Sequence, residues 1–113
     1  MPGHTAGLFG KVLNDMVSYG CDNISGLPPG VDRQYMMCTH VFFNCSWADD
    51  DTVVHTGALP QEYTTSLIGN KSIAWIKKVL AIGPTHPPFF AWLGPHAPHL
   101  PATPAPCECP PSF

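Results

Sequence analysis

The sequence predicts an α/β fold, and two adjoining segments of the chain carry this prediction. Residues 63–81, YTTSLIGNKSIAWIKKVLA, repeat apolar side chains at helical spacing and therefore predict an amphipathic helix. The apolar run PPFFAWLG at 87–94 is bounded by proline and glycine and predicts a strand over 88–94 that is buried on both faces. A helix that leads into a buried strand is half of an α/β repeat, so the strand is expected in a covered parallel sheet.

The predicted helix gathers its apolar side chains into one stripe. The stripe consists of Ile68, Ser72, Trp75, Ile76, Val79 and Leu80. Thr64 or Thr65 is the expected N-cap, because a hydroxyl oxygen can accept a free amide proton of the first turn. Lys77 and Lys78 lie in the last turn, where a positive charge is favourable, and the glycine-proline pair at 83–84 ends the helix.

The N-terminal half gives weaker patterns. Residues 7–17 have apolar side chains at a spacing of three to four and predict a short helix or helical turn. Residues 19–31 are rich in turn-forming types. The segments 39–43 and 52–56 predict two short strands, joined through a turn at 48–51 and able to form a hairpin.

The charge of the chain limits the kinds of partner that it is expected to bind. The net charge is −3 and only 12% of the 113 residues are charged, against about a quarter in average soluble domains. This balance gives no reason to expect nucleic acid or an anionic membrane as a partner. No segment predicts membrane insertion, and the N-terminus does not have the pattern of a signal peptide. The low charge indicates a surface that a partner, or the rest of a larger domain, would cover.

The cysteines do not form a zinc pattern. They stand at positions 21, 38, 45, 107 and 109. None forms a C-x-x-C pair, so structural zinc is not expected. A disulfide between Cys21 and either Cys38 or Cys45 is possible, and the sequence leaves both pairings open.

Three N-x-S sequons mark candidate glycosylation sites. They begin at Asn23, Asn44 and Asn70. Three sequons in so short a chain favour the secretory route.

A proline-rich loop with two histidines, PHAPHLP, follows the predicted strand 88–94. Ligands of open α/β sheets bind beyond the C-terminal ends of the strands. Prolines at 95, 98 and 101 restrict the loop, so His96 and His99 would be held at such an end. This arrangement suits the binding of an anion or a leaving group. Equally, the loop could only cap the sheet, with both histidines solvated.

The C-terminal half resembles a known enzyme family. YTTSLIGNKSIAWI followed by PPFFAWLGPHAPHLPATPAP closely resembles the sulfatase family, in its N-acetylglucosamine-6-sulfatase-like branch. In that branch a similar helix leads to a buried strand and a PHxPH loop. The middle segments LPPGVDRQYMM and FFNCSW resemble the branch more loosely, and the resemblance extends to Pro106.

The N-terminus resembles the second signature of the same family, G-[YV]-x-[ST]-x-x-[IVAS]-G-K. Gly3, Gly10 and Lys11 fit this signature. The departures from it are His4, Ala6 and Phe9. The VLND that follows resembles the GKYLN of the branch.

The resemblance implies a domain and a chemistry. Residues 1–106 would be part of the sulfatase N-terminal domain, which has an alkaline-phosphatase-like α/β sandwich fold, and residues 107–113 a divergent irregular tail. Family members are sulfuric ester hydrolases that use a formylglycine, made from the cysteine of a C-x-P-S-R motif, and a divalent cation that is usually calcium. The substrate would be a sulfated carbohydrate or another sulfate ester. Together with the sequons, the family resemblance implies a lysosomal or extracellular location.

The resemblance also assigns roles to three residues. Lys11 matches the lysine that contacts the sulfate, and His99 matches the catalytic histidine that binds sulfate and helps the leaving oxygen depart. His96, in the same loop, is a supporting substrate-binding residue. Some members have a further histidine where this chain has Leu13, so no role is assigned there, and no metal ligand is assigned anywhere.

The sequence lacks other parts of the family's machinery. It contains no C-x-P-S-R motif, and the family's metal aspartates have no counterpart. The ending C-x-P-S-F at 109–113 follows the histidine loop and has no arginine, so no catalytic role is expected for it. We therefore expect a sulfatase fragment that is inactive alone, with the remainder of the domain as its partner and with the calcium ligands outside this chain.

The sequence leaves two other functions open. The chain could instead be a non-catalytic, sulfated-glycan-binding remnant of the same fold, or, least favoured, a PATPAP segment that binds as polyproline II.

The histidines 4, 40, 55 and 86 are expected to be structural or exposed, and the aspartates 49–51 to form a solvated turn tip.

Overall fold

The strands form one mixed sheet, with a helix packed against it. The computed structural model describes residues 3–12, 21 and 26–106. The strands are β1 (Thr5–Gly10), β2 (Arg33–Met37), β3 (Ser46–Asp49), β4 (Thr52–His55) and β5 (Phe89–Gly94), and the helix is α1 (Thr64–Leu80), preceded by a short 3₁₀ helix at Pro60–Glu62. The strand order is β4-β3-β2-β1-β5. Strand β1 is parallel to both β2 and β5, whereas β2, β3 and β4 are antiparallel. The described residues thus form a small α/β domain, and the predicted class is confirmed.

The predicted helix and the position of the strand that follows it are confirmed. Helix α1 spans Thr64–Leu80, and β5 spans Phe89–Gly94. The predicted N-cap is wrong, because the N-cap is Tyr63 and no side chain caps the helix. Thr64 is the first helical residue, and its hydroxyl donates instead to the carbonyl oxygen of Val41 at 2.9 Å. Its amide donates to the carbonyl of Phe42, so the loop before β3 is attached to the start of α1.

The predicted burial of β5 on both faces is wrong. Strand β5 lies at the edge of the sheet, beside β1 alone. Helix α1 covers one face, where Trp75 contacts Phe89 edge to face at a ring distance of 5.8 Å. Phe90 is 59% exposed and Trp92 is 47% exposed, because the described residues leave the other face at this edge uncovered. The predicted parallel pairing of the strand is nevertheless confirmed.

The N-terminal predictions fail for a physical reason. The segment predicted as a helix over 7–17 begins as strand β1, which pairs along both edges, and residues 13–17 lie outside the described part. A short apolar run fits a strand as well as a helix, and here the pairing with two distant strands decides. The predicted strand 39–43 is a loop between β2 and β3.

The hairpin exists, but between other strands. It joins β3 to β4, with Asp49 opposite Thr52 and the turn at 50–51. The predicted strand 52–56 is confirmed as β4, whereas the predicted turn 48–51 is half strand. The predicted solvated tip is wrong for two of its aspartates, because Arg33 binds Asp49 at 2.7 Å and Asp50 at 3.0 Å.

Two clusters of buried side chains hold the sheet. Between the sheet and α1 lie Phe9, Tyr35, Met37, Cys45, Trp47, Ile68, Trp75 and Val79. On the opposite face lie Met36, Cys38 and Ala48, against Leu8, Val12 and Cys21. A disulfide joins Cys21 to Cys38, which settles the pairing that the sequence left open, and Cys45 is a buried free thiol. Among the described residues no helix has the length and hydropathy to span a membrane.

Candidate functional site

The C-terminal ends of three neighbouring strands meet at one edge of the sheet. Strands β2, β1 and β5 are adjacent and parallel, so the segments that follow them lie at the same edge. Lys11 follows β1, His96 and His99 follow β5, and His40 lies in the loop after β2. The histidine loop thus lies at the C-terminal end of a parallel strand, and the binding of a ligand there stays a prediction.

These residues surround an open pocket of about 430 Å³. Its lining consists of Lys11, His40, Val41, Phe42, His96, His99, Leu100 and Pro101. Four of these side chains are basic and the others are apolar, so none of the described lining residues is acidic. A group of positive or protonatable side chains against apolar walls favours an anionic ligand, because the walls reduce screening by water.

The pairing of β1 with β5 fixes the backbone of Lys11. Gly10 lies beside Gly94 in the register, and the amide of Lys11 donates to the carbonyl oxygen of Gly94 at 2.7 Å. The indole Nε1 of Trp92 donates to the carbonyl oxygen of Lys11 at 3.1 Å. The lysine that the N-terminal signature identified is therefore held directly beside the strand that leads to the histidine loop.

His96 is the buried member of the site. Its side chain is 7% exposed and contacts Phe42 edge to face at a ring distance of 4.6 Å. Nδ1 of His96 is buried and has no hydrogen-bond partner among the described residues. Burial lowers the pKa of His96, and the neighbouring His99, His40 and Lys11 lower it further. A buried polar atom without a protein partner is uncommon, and here it lies at a pocket where a ligand could supply one.

In His99, one ring nitrogen is hydrogen-bonded to the backbone and the side chain is exposed. Its Nδ1 donates to the carbonyl oxygen of Leu100 at 2.7 Å, and since a carbonyl only accepts, the Nδ1 atom carries a proton. Its ring stacks on that of His96 at 4.9 Å, and the side chain is exposed. The Nε2 atom of His99 is thus left to accept a hydrogen bond when neutral and to donate one when protonated.

His40 is the residue that sequence reasoning missed. The sequence analysis expected it to be structural or exposed, within a strand over 39–43, whereas the structure places it in the pocket lining. Its ring lies 6.5 Å from that of His96. A basic residue shortly after a strand end is the signal that could have identified it, but that signal depends on knowing that β2 ends at Met37.

The other singled-out residues lie elsewhere. His4, His55 and His86 do not line this pocket, and His86 Nδ1 is bonded to the carbonyl oxygen of Pro87 at 2.9 Å. Among the sequons, Asn44 and Asn70 are exposed, and Asn23 lies outside the described residues, as do Cys107 and Cys109. Glycosylation at these positions stays a prediction.

The described residues do not fit calcium. This cation prefers six to eight oxygen ligands, chiefly carboxylates and carbonyls. The polar side chains of the pocket supply only nitrogen atoms. In the described part of the chain no group of three or more histidine, cysteine, aspartate or glutamate side chains is placed to hold a metal ion. The described pocket residues therefore lack the oxygen ligands that calcium requires.

Comparison with known proteins adds no assignment. No model of a known protein family matches the chain, and no curated protein matches it.

The lowered pKa of His96 predicts a pH-dependent stability. The unfolded chain takes up a proton on this histidine near pH 6.5, whereas the folded chain does so only at lower pH. The contribution of neutral His96 is therefore complete above about pH 6.5 and is lost as pH falls through the folded pKa, by at most about 1.4 kcal/mol per pH unit. Urea unfolding over a pH series should show this slope in the wild type and a reduced slope in His96→Gln. An identical slope in the variant would assign the effect to another group.

Proposed function

We propose that this chain is the sulfate-binding part of a sulfatase N-terminal domain and takes a sulfated carbohydrate or another sulfate ester. One observation carries the proposal: Lys11 and His99, assigned separately by motifs near the two ends of the chain, line one pocket. The sulfatase resemblance requires this proximity, whereas two unrelated surface residues would have no reason to meet.

The chemistry of the pocket fits this ligand. The ammonium group of Lys11 would offset negative charge on the sulfate oxygens. His99, with Nδ1 bonded to Leu100, would donate from Nε2 in its protonated form, either to a sulfate oxygen or to the departing ester oxygen. The buried Nδ1 of His96 would gain the partner that the protein does not supply.

The exposed edge of the sheet supports the idea of a partial domain. Strand β5 carries Phe90, Trp92 and Leu93, and each is close to half exposed or more. Large apolar side chains that lie together on a surface usually mark a region that another element covers. In the proposal, the remainder of a sulfatase domain covers these side chains of β5.

The disulfide supports the secretory route. Disulfides persist in oxidising compartments and are rare in cytosolic proteins. The bond between Cys21 and Cys38 is therefore in keeping with the lysosomal or extracellular location that the sequons and the family resemblance together predict.

A second function is a sulfated-glycan-binding protein without catalysis. The described pocket lining contains no cysteine, serine, threonine or carboxylate that could attack sulfur. The free thiol of Cys45 is fully buried and burial raises its pKa to about 11, which makes it a poor nucleophile. Since the sequence has no C-x-P-S-R motif, this chain alone is proposed to bind the sulfate group without turning it over.

Titration of the whole chain with inorganic sulfate and with 4-nitrophenyl sulfate tests the proposal. We expect calorimetry to detect binding and the aryl sulfate to remain uncleaved. Lys11→Ala and His99→Ala should each weaken binding by about tenfold or more, since each removes a charge-assisted hydrogen bond. His86→Ala, a histidine outside the pocket, is the matched control and should bind as the wild type does.

The experiment separates turnover by this chain from binding alone. Release of 4-nitrophenol that His99→Ala abolishes would establish a hydrolase and reject the view that the chain is inactive alone. Binding without turnover would agree with a sulfatase fragment that is inactive alone and equally with the binding function. Absence of binding in the wild type, or equal binding in all variants, would reject both.

A further inference from the structure

We propose that His40 is a third anion-binding imidazole of this pocket, placed there by the loop that the Cys21–Cys38 disulfide anchors. The inference rests on the proposed sulfate-binding function and adds a residue that the sulfatase resemblance did not assign. It also predicts that sulfate affinity depends on pH, because a protonated imidazole carries the positive charge that attracts an anion.

The first argument is the position of the ring. His40 lines the same pocket as Lys11 and His99, although it comes from a different strand end. Its ring lies 6.5 Å from His96 with 27° between the planes, and His96 lies 4.9 Å from His99. The ring of His96 is therefore a near neighbour of both other imidazoles in the pocket lining.

The second argument is that both flanks of His40 are attached to the fold. Two residues before it, Cys38 is buried, bonded to Cys21, and its amide donates to the carbonyl of Ser46 at 2.8 Å. After it, the carbonyls of Val41 and Phe42 accept hydrogen bonds from the hydroxyl and the amide of Thr64. Binding an anion would therefore not require this loop to become ordered, which lowers the entropic cost of binding.

The third argument is charge. The other titratable groups that line the pocket with His40 are Lys11 at the end of β1, and His96 and His99 from the loop after β5. Because these groups are all basic and no described lining residue is acidic, protonation of the imidazoles becomes more favourable when an anion is bound. Sulfate binding should consequently be accompanied by proton uptake, and affinity should rise as pH falls.

An NMR titration of the intact, isotopically labelled wild-type chain tests the role of His40 directly. The imidazole signals are followed against pH with and without saturating inorganic sulfate. A ligand that binds the charged form about tenfold more tightly raises a pKa by about one unit, and we expect such a rise for His40 and His99. His86, outside the pocket, should not change. This measurement needs no variant, so it does not depend on whether a substitution folds.

The possible outcomes separate the inference from the proposed function. A rise for His99 without a rise for His40 would overturn the inference and leave sulfate binding intact. If no histidine responds to sulfate, both fail. If His40 and His99 both respond, both are supported.

A variant measures how much His40 contributes. His40→Gln should weaken sulfate binding about fivefold to tenfold near pH 5.5, below the ordinary pKa of histidine, and have little effect near pH 8. His86→Gln is the matched control at both pH values. An equal loss at the two pH values would show that the substitution disturbs the loop and would overturn the anion-binding role.

Replacing both disulfide cysteines tests whether the disulfide holds the loop that carries His40. Cys21→Ser combined with Cys38→Ser should weaken sulfate binding near pH 5.5 by as much as His40→Gln does, and adding His40→Gln should then have no further effect. If the triple variant binds clearly more weakly than the double variant, the disulfide does not act through His40.

Discussion

Trp47→Ala is expected to destabilise the domain by about 3–5 kcal/mol, the range for removing a buried tryptophan. Trp47 lies in β3, is fully buried in the core between the sheet and α1, and stacks on Tyr35 at a ring distance of 4.2 Å. Its Nε1 donates to the hydroxyl of Thr56 at 2.9 Å. The substitution therefore removes a large apolar contact, an aromatic pair and a partly buried hydrogen bond together.

Denaturation in urea, followed by far-UV circular dichroism, measures this loss. Trp92→Ala is the matched control, because Trp92 is about half exposed at the sheet edge and should cost far less. Since whole domains are stable by only about 5–15 kcal/mol, Trp47→Ala is expected to leave little folded protein, whereas Trp92→Ala should unfold cooperatively. Equal losses for the two variants would contradict the placement of Trp47 in the core.

Helix α1 and β5 could be predicted because their signals are local. The helix shows its period within its own sequence, and the strand is a continuous apolar run between proline and glycine. Strand β1 could not be predicted in this way, because its conformation depends on partners far along the chain: Gly7 lies opposite both Arg33 and Ala91. The burial of β5 was predicted wrongly, since composition does not show whether a second layer covers the face of the strand that points away from α1.

Only those residues of the candidate site that belong to a sequence motif could be predicted. Lys11 and His99 came from two sequence matches, and the parallel pairing of β1 with β5 brings their segments to one edge. His40 was missed because its place depends on where β2 ends and on which cysteine pairs with Cys21. Neither fact can be read from spacing alone, so the third imidazole became visible only in the fold.

The close approach of β1 and β5, on which the position of Lys11 depends, requires glycine at position 10. Gly10 has a φ of 98°, in the region of backbone conformation that residues other than glycine rarely adopt. A Cβ atom at this position would also collide with the carbonyl oxygen of Gly94 and would come within 2.9 Å of Cδ1 of Ile68. Strain of the backbone and overpacking each cost about 1–3 kcal/mol, so Gly10→Ala should lose several kcal/mol.

The same substitution should weaken the site more than its loss of stability explains. The carbonyl of Gly94 that a Cβ would displace is the acceptor for the amide of Lys11. Sulfate titration under conditions where the variant is still folded should therefore show weaker binding than in the wild type. Gly69→Ala, in α1 with nothing within 4 Å of the new Cβ, is the matched control and should stabilise the chain by up to about 1 kcal/mol without affecting sulfate. If Gly10→Ala keeps wild-type stability and affinity, the contact between the two strands does not position Lys11, and the sulfate-binding proposal loses its geometric basis.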